Sequence, residues 1–294
     1  MIRYVLPLLF LLACSEGTGP GGRPTIVFMG FVYPSPANNN FEIYVMDSLG
    51  GHVQNVTRNL ARDDDPAWSP DGSRILFSSA DRDTTGRWHL YLMRDDGSGV
   101  TALTSGQGSE WGPDWSQDGA KIAFISSGHL NIMNADGTGA TPLRNDRFFN
   151  DHPSWSPDGR IVFFSDSGAN AESAGHLYVI NDNGTDLTSI GDTTATEETP
   201  SWSPDGGRIA FSSNRDTRAS QIWTMNPDGT SPVRLTSDSG GNSYPAWSPD
   251  GNKIVFVSYR DSVAEVYVMN ADGGSQTRLT HIPTTLKVKP HWRP

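Results

Sequence analysis

One segment recurs along the chain and limits what it can become. Proline, a variable residue and tryptophan are followed by Ser-Pro-Asp-Gly or a close variant, with the tryptophan at 68, 115, 155, 202 and 247, at intervals of 47, 40, 47 and 45 residues. A last copy, Pro290 to Pro294, lies 45 residues further on and stops with the chain. A period of roughly 40–50 residues marks propeller blades or solenoid coils, units too small to bury a core alone. Each copy continues with a bulky strand, as in Arg74 to Phe77, Lys121 to Phe124, Arg160 to Phe163, Arg208 to Phe211 and Lys253 to Phe256. Apolar character on both faces predicts burial on both faces. After a variable loop comes a third strand, such as Leu90 to Met93 or Val266 to Met269, then an Asp-Gly turn and a weaker fourth strand. The joints have a mechanism. Proline presets φ, aspartate accepts local backbone hydrogen bonds, and glycine takes the left-handed conformation that closes a hairpin. Each copy therefore reads as a four-stranded antiparallel sheet.

The chain ends complete the count. Thr25 to Phe28 matches the second strand and Ile43 to Met46 the third, but no Pro-x-Trp strand precedes them. The C-terminal copy supplies it. Five whole sheets and one shared between the termini predict an all-β, six-bladed propeller spanning 25–294, closed by pairing of the C-terminal strand with the N-terminal blade. Closure removes exposed edges, whereas an open solenoid needs polar caps, and none is visible. Composition agrees: four lysines and seven glutamates among 294 residues leave little to clothe exposed helices, which excludes a helical bundle.

The Pro-x-Trp-Ser-Pro-Asp-Gly, Lys/Arg-Ile-x-Phe and Ile-Tyr-Val-Met-Asn segments resemble the TolB-type propeller repeat, a relative of the WD repeat, across about residues 24–294. Gln117 stands where that family has proline, and Arg293 where it has serine. TolB carries an α/β domain ahead of its propeller and only a ten-residue tether stands here, so TolB's role in its envelope complex is not expected to transfer whole. At the N-terminus, a positive start, the apolar run Tyr4 to Leu12 and Leu11-Leu-Ala-Cys14 resemble a bacterial lipobox. The resemblance implies a signal peptide over 1–13, lipidation of Cys14, and, from Ser15, an outer-membrane destination. Residues 14–24 read as a flexible tether of roughly 15–20 Å reach. With one cysteine, no disulfide forms within the chain.

The formal net charge is −11, but nine acids sit in the repeated turns, so turn chemistry explains most of it. No basic stripe is present, which argues against nucleic acid. The tight turns share one rim and the variable loops the other, where binding usually resides. Residues just before each Pro-x-Trp are expected at the channel mouth on that rim: Asp64, Asp65, Glu110, Trp111, Asp151, His152, Glu197, Glu198, Ser243, Tyr244, Lys287 and Lys289. A funnel lined mostly by carboxylates would concentrate cations or basic peptide segments, with Trp111 and Tyr244 as stacking faces. The repeated tryptophans read as packing between blades. His89, His129 and His176 share one repeat position but stand too far from the axis and from each other for one ion, so they read as strand-edge residues bonding nearby backbone. No metal or cofactor is expected, and a monomer is. No hydrolase elbow, zinc helix or phosphate loop occurs. The expectation is an envelope lipoprotein whose rim binds a protein, peptide or glycan. The alternatives are a polysaccharide- or peptide-processing lyase or hydrolase using mouth carboxylates, and a structural module contacted on its outer blade edges.

Overall fold

The computed structural model describes residues 25–32, 41–82, 85–144, 146–166, 175–192, 194–216, 218–281 and 285–294, with the side chains of 32 and 285–287 excepted. Six four-stranded antiparallel sheets surround one axis. Their innermost strands are Thr285–Trp292 for blade 1, then Arg62–Trp68, Glu110–Trp115, Asn150–Trp155, Glu197–Trp202 and Asn242–Trp247 for blades 2 to 6. Blade 1 is shared between the ends of the chain: the C-terminal strand pairs with Ile26–Val32, Ile26 opposite Trp292 and Val27 opposite His291. Among the described residues there is no helix long and apolar enough to cross a membrane.

The turn chemistry read from the repeat is present. In blade 2, Ser69 Oγ donates to Asp71 at 2.6 Å and accepts the Arg74 N–H at 2.9 Å, while the Gly72 N–H closes on the Ser69 carbonyl at 2.7 Å. The same serine–aspartate pairing recurs at Ser116, Ser156, Ser203 and Ser248. These bonds favour the ionised carboxylate, and they hold Asp250 down to about 2; at Asp158, also at about 2, the hydrogen bond from the Arg160 guanidinium is the main cause and the Ser156 hydroxyl adds to it. The Asp-Gly turns on the same rim press against the preceding blade. A Cβ on Gly97 would lie 1.9 Å from the Val56 carbonyl oxygen, so only glycine fits there.

The core lies between blades. The second strands carry the fully buried rings of Phe28, Phe77, Phe163, Phe211 and Phe256, and the inner strand of blade 2 adds the larger ring of Trp68. Each repeated tryptophan leans on the blade before it: Trp68 packs with Val27, Ile43 and Val45 of blade 1, and Trp202 with Val162, Leu177 and Val179 of blade 4. This is the packing role expected of them, and it makes the ring a continuous stack in which every blade is the lid of its neighbour.

Candidate functional site

The inner strand of every blade carries the same irregularity. Its ladder with the second strand slips between Asp64 and Ala67, Trp111 and Asp114, Asp151 and Ser154, Glu198 and Ser201, and Ser243 and Ala246. The closing strand slips in the same place, around Lys289 and Pro290. The cause is the repeated proline, which donates no hydrogen bond and is tolerated only on an edge strand or at a bulge. The residue before it takes the left-handed conformation in all six blades: Asp65 (φ +51°), Gly112 (+59°), His152 (+49°), Thr199 (+51°), Tyr244 (+54°) and Lys289 (+53°). Five of these are not glycine, and for β-branched Thr199 the conformation is a true outlier. Bulges re-aim side chains and strain of this kind gathers at functional positions. All six residues border the central channel, a cavity of about 410 Å³ whose walls continue through the proline and tryptophan rings.

The ring is wired from blade to blade. Asp65 accepts the Gly112 N–H at 3.0 Å and Thr199 Oγ1 accepts the Tyr244 N–H at 3.2 Å. Lys289, delivered by the closing strand, pairs with Asp65 and lies 3.3 Å from Asp64. Burial pushes both carboxyls up. At Asp65 the Lys289 ammonium reverses the shift and leaves it below the usual range; at Asp64 burial and the charge of Asp65 prevail and leave it above. Burial works against the Lys289 charge, but the two carboxylates overcome it and hold the ammonium well above its ordinary value. The His152 and Tyr244 rings meet at 5.6 Å, and burial raises the Tyr244 hydroxyl to about 12.

One step deeper, the variable residue of Pro-x-Trp reaches to the next blade. Asp114 accepts the Trp155 N–H at 2.8 Å, Ser154 accepts that of Trp202 at 3.2 Å, and His291 Nδ1 faces that of Trp68 at 3.4 Å. Burial raises Asp114 to about 7 against the pull of the Trp155 and Trp115 amides, and lowers His291 to about 4. A carboxyl whose folded pKa lies above its unfolded value adds stability that is complete below about pH 4 and is lost as pH rises through about 7. Asp114→Asn keeps an oxygen for the Trp155 amide. It is therefore expected to match the parent near pH 4 and to exceed it by roughly 4 kcal/mol at pH 8, read from urea melts at the two pH values. Parallel pH profiles would mean that the carboxyl is not desolvated.

The residues named from the sequence separate into layers. Asp65, His152, Tyr244 and Lys289 form the ring, with Asp64 beside it. Asp151 and Glu198 stand on the rim outside it. Trp111, one step before the ring, donates to Asp151 at 3.2 Å and stacks on Phe149 at 6.3 Å. Glu110 and Glu197, expected at the mouth, are instead buried inside their blades: Glu110 lies 2.7 Å from His89, and Glu197 pairs with Arg215. The bulge is the reason. Its extra residue breaks the two-residue alternation, so only the residue next to proline turns to the axis, and the one three places before proline stays in the sheet. Asp63, Asn150 and Asn242 occupy that same buried position. His89 thus meets a carboxylate rather than backbone, and His176 is buried in the same layer. The Lys287 side chain, Cys14 and the tether lie outside the described residues. Among the described residues no cluster of three or more His, Cys, Asp or Glu could hold a metal ion.

A second cavity, about 330 Å³, opens on the variable rim across blades 4, 5 and 6. It adds Phe149, Phe164 and Tyr259 to His152, Thr199 and Tyr244 of the ring, with Asp151 and Glu198 at its edge. Phe149 and Tyr259 are 43% and 39% exposed, so two aromatic rings of this one cavity stand open to solvent.

The family model of the TolB beta propeller domain matches residues 31–193 and 185–294. Among solved structures, TolB from Acinetobacter baumannii is similar at 20% identity and a TM-score of 0.80, covering 94% of this chain and 68% of that one. A putative TolB from Agrobacterium tumefaciens is similar at 22% identity and a TM-score of 0.66, covering 93% and 100%. An oligogalacturonate lyase in complex with manganese is similar at 18% identity and a TM-score of 0.57, covering 89% and 75%. No curated protein matches the sequence.

Proposed function

The chain belongs to the TolB β-propeller family, and from that premise we propose that it is a binding module of the bacterial envelope whose variable rim captures a segment of a protein partner. The rim cavity carries this reading. On the opposite rim the turns consume their own polar groups, serine on aspartate and amide on carbonyl, and present little for a partner to bond. On the variable rim, rings and a carboxylate stand uncovered on a scaffold that all six blades brace. Rigid aromatic anchors around a pocket are where binding energy concentrates. The reading of a lyase or hydrolase at the mouth has less to work with, since Lys289 already pairs Asp64 and Asp65 while Glu110 and Glu197 are inside the blades.

Cys14 and residues 14–24 would hold the propeller to the outer membrane by lipid and tether. Cys14→Ser is expected to release the protein from the membrane fraction, and retention there would remove the anchor. The rim itself is tested by capture of the partner after crosslinking in the native envelope. Tyr259→Ala is expected to lower the yield about tenfold or more, the effect of losing one aromatic anchor. Leu49→Ala, which removes an 87% exposed side chain in a turn of the opposite rim, is expected to leave it unchanged. The reverse pattern would place the partner on the other face.

A further inference from the structure

We propose that the cavity across blades 4, 5 and 6 receives a cationic side chain, an arginine or a lysine, from the segment that the rim binds; this rests on the rim-binding reading and names the chemistry of its ligand. The cavity is walled by four rings, Phe149, Phe164, Tyr244 and Tyr259, with the carboxylates of Asp151 and Glu198 at its edge. No lysine or arginine is among the residues that line it. Asp151 already accepts hydrogen bonds from Trp111 and the His152 amide. Glu198 is exposed and has no cation beside its carboxylate among the described residues.

The molecule itself shows what such a niche accepts. In four blades a guanidinium lies over two rings and beside a carboxylate. Arg82 sits 5.2 Å from the Phe77 centroid and 5.5 Å from that of Tyr91, and pairs with Asp63 at 2.7 Å. Arg215 lies 5.2 Å from Phe211 and 4.9 Å from Trp223 and pairs with Glu197. Arg260 lies over Phe256 and Tyr267 beside Asp238, and Arg144 over Phe163 and Tyr178 beside Asp146. The rim cavity brings together the same two ingredients, ring faces and carboxylate; Lys289 already lies 6.0 Å from the Tyr244 centroid and the His152 ring 3.4 Å from Asp151, which leaves the faces of Phe149, Phe164 and Tyr259 and the carboxylate of Glu198 for an incoming cation.

The physical alternatives fit less well. An apolar side chain would strip water from Asp151 and Glu198 without replacing it, and an acidic one would add repulsion. A cation gains from both walls, from the ring quadrupoles and from the carboxylates. Arginine is favoured over lysine because its planar head can stack on a ring while its edge bonds a carboxylate.

The test uses the mature full-length protein and three peptides, Gly-Ser-Gly-X-Gly-Ser-Gly with X as arginine, as citrulline, which has the same shape without the charge, or as glutamate. Binding is followed by NMR shifts of the Thr199 and Ser243 amides at the cavity. The arginine peptide is expected to bind at least about tenfold more tightly than the citrulline one, the glutamate peptide not at all, and the difference to shrink as salt is raised. Glu198→Gln, a change at an exposed side chain that leaves the fold intact, is expected to remove most of the arginine preference. Equal binding of arginine and citrulline, or an unaltered preference in Glu198→Gln, would overturn the cationic ligand while leaving the rim as the docking face. No shift at those amides with any peptide up to about 10 mM would overturn it as well, and capture by the Tyr259→Ala variant reports separately on whether the rim is used.

Discussion

Removal of residues 285–294 is expected to abolish the cooperative unfolding transition of the whole ring. The segment is the inner strand of blade 1, and six residue pairs tie it to the strand Ile26–Val32. Its loss uncovers Ile26 and Phe28, both fully buried, and discards Val288 and Trp292 from the packing of blades 6, 1 and 2. Each large apolar side chain returned to water costs about 1.5–3 kcal/mol, and lost ladder bonds add to this. The sum rivals the roughly 5–15 kcal/mol that hold a domain together. The truncated chain also presents an unpaired edge, a template for association. Circular dichroism melts and size-exclusion chromatography read the outcome: a broad or absent transition and larger species. The synthetic segment Thr-Leu-Lys-Val-Lys-Pro-His-Trp-Arg-Pro added in trans is expected to restore the transition. A truncated chain that melts sharply, within about 2 kcal/mol of the parent, would show that the strand is an accessory.

Arg215→Ala is expected to cost about 3–5 kcal/mol, because it leaves a buried carboxylate without its cation. Glu197 is fully buried, with one oxygen paired to Arg215 and the other accepting the Asp192 N–H at 3.0 Å. Burial already holds the Glu197 carboxyl above its usual range despite Arg215. Without the guanidinium that pKa rises further. A carboxyl raised in the folded state adds stability below its unfolded pKa and loses it as pH rises through the folded one, so the defect of Arg215→Ala grows from pH 5 to pH 8. Combining it with Glu197→Gln removes the unpaired charge and is expected to recover most of the loss. What is not recovered measures the packing of Arg215 over Phe211 and Trp223. A single variant that melts like the parent at pH 8 would mean that water reaches Glu197.

The architecture was legible because it is written as period and as turn chemistry. Proline, aspartate and glycine at fixed offsets dictate hairpins without reference to anything distant, and counting the copies yields the blades. Closure was legible too, since the N-terminal copy lacks the strand that Trp292 ends. The site was legible only in part. Asp65, His152, Tyr244 and Lys289 could be placed near the axis because they precede the marker proline. Glu110 and Glu197 were drawn to the same place because strand alternation alone cannot show a bulge that resets it. Thr199 and Gly112 belong to the ring by position but carry no charge to attract attention. Asp114 and His291 hold the variable place of Pro-x-Trp, and the clue was there: most copies have alanine or serine, these two have titratable groups. Phe149, Phe164 and Tyr259 gave no such signal. They meet only because the ring brings blade 4, which carries Phe149 and Phe164, and blade 6, which carries Tyr259, to either side of blade 5, a property of the ring rather than of any segment.

The central claim is that the chain's own end closes the ring and thereby sets Lys289 into the mouth. Native-state hydrogen exchange of the closing strand tests it without altering a residue. If the strand belongs to the cooperative unit, the ladder amides around Val288 and the Arg293 amide, which donates to the Thr25 carbonyl at 2.7 Å, exchange only through global unfolding. They then show the same free energy as protected amides of the second strands in blades 2 to 6. Exchange of the closing strand at rates near those of an unfolded chain, with the other blades still protected, would mean that the ring stands open and that the mouth described here does not form.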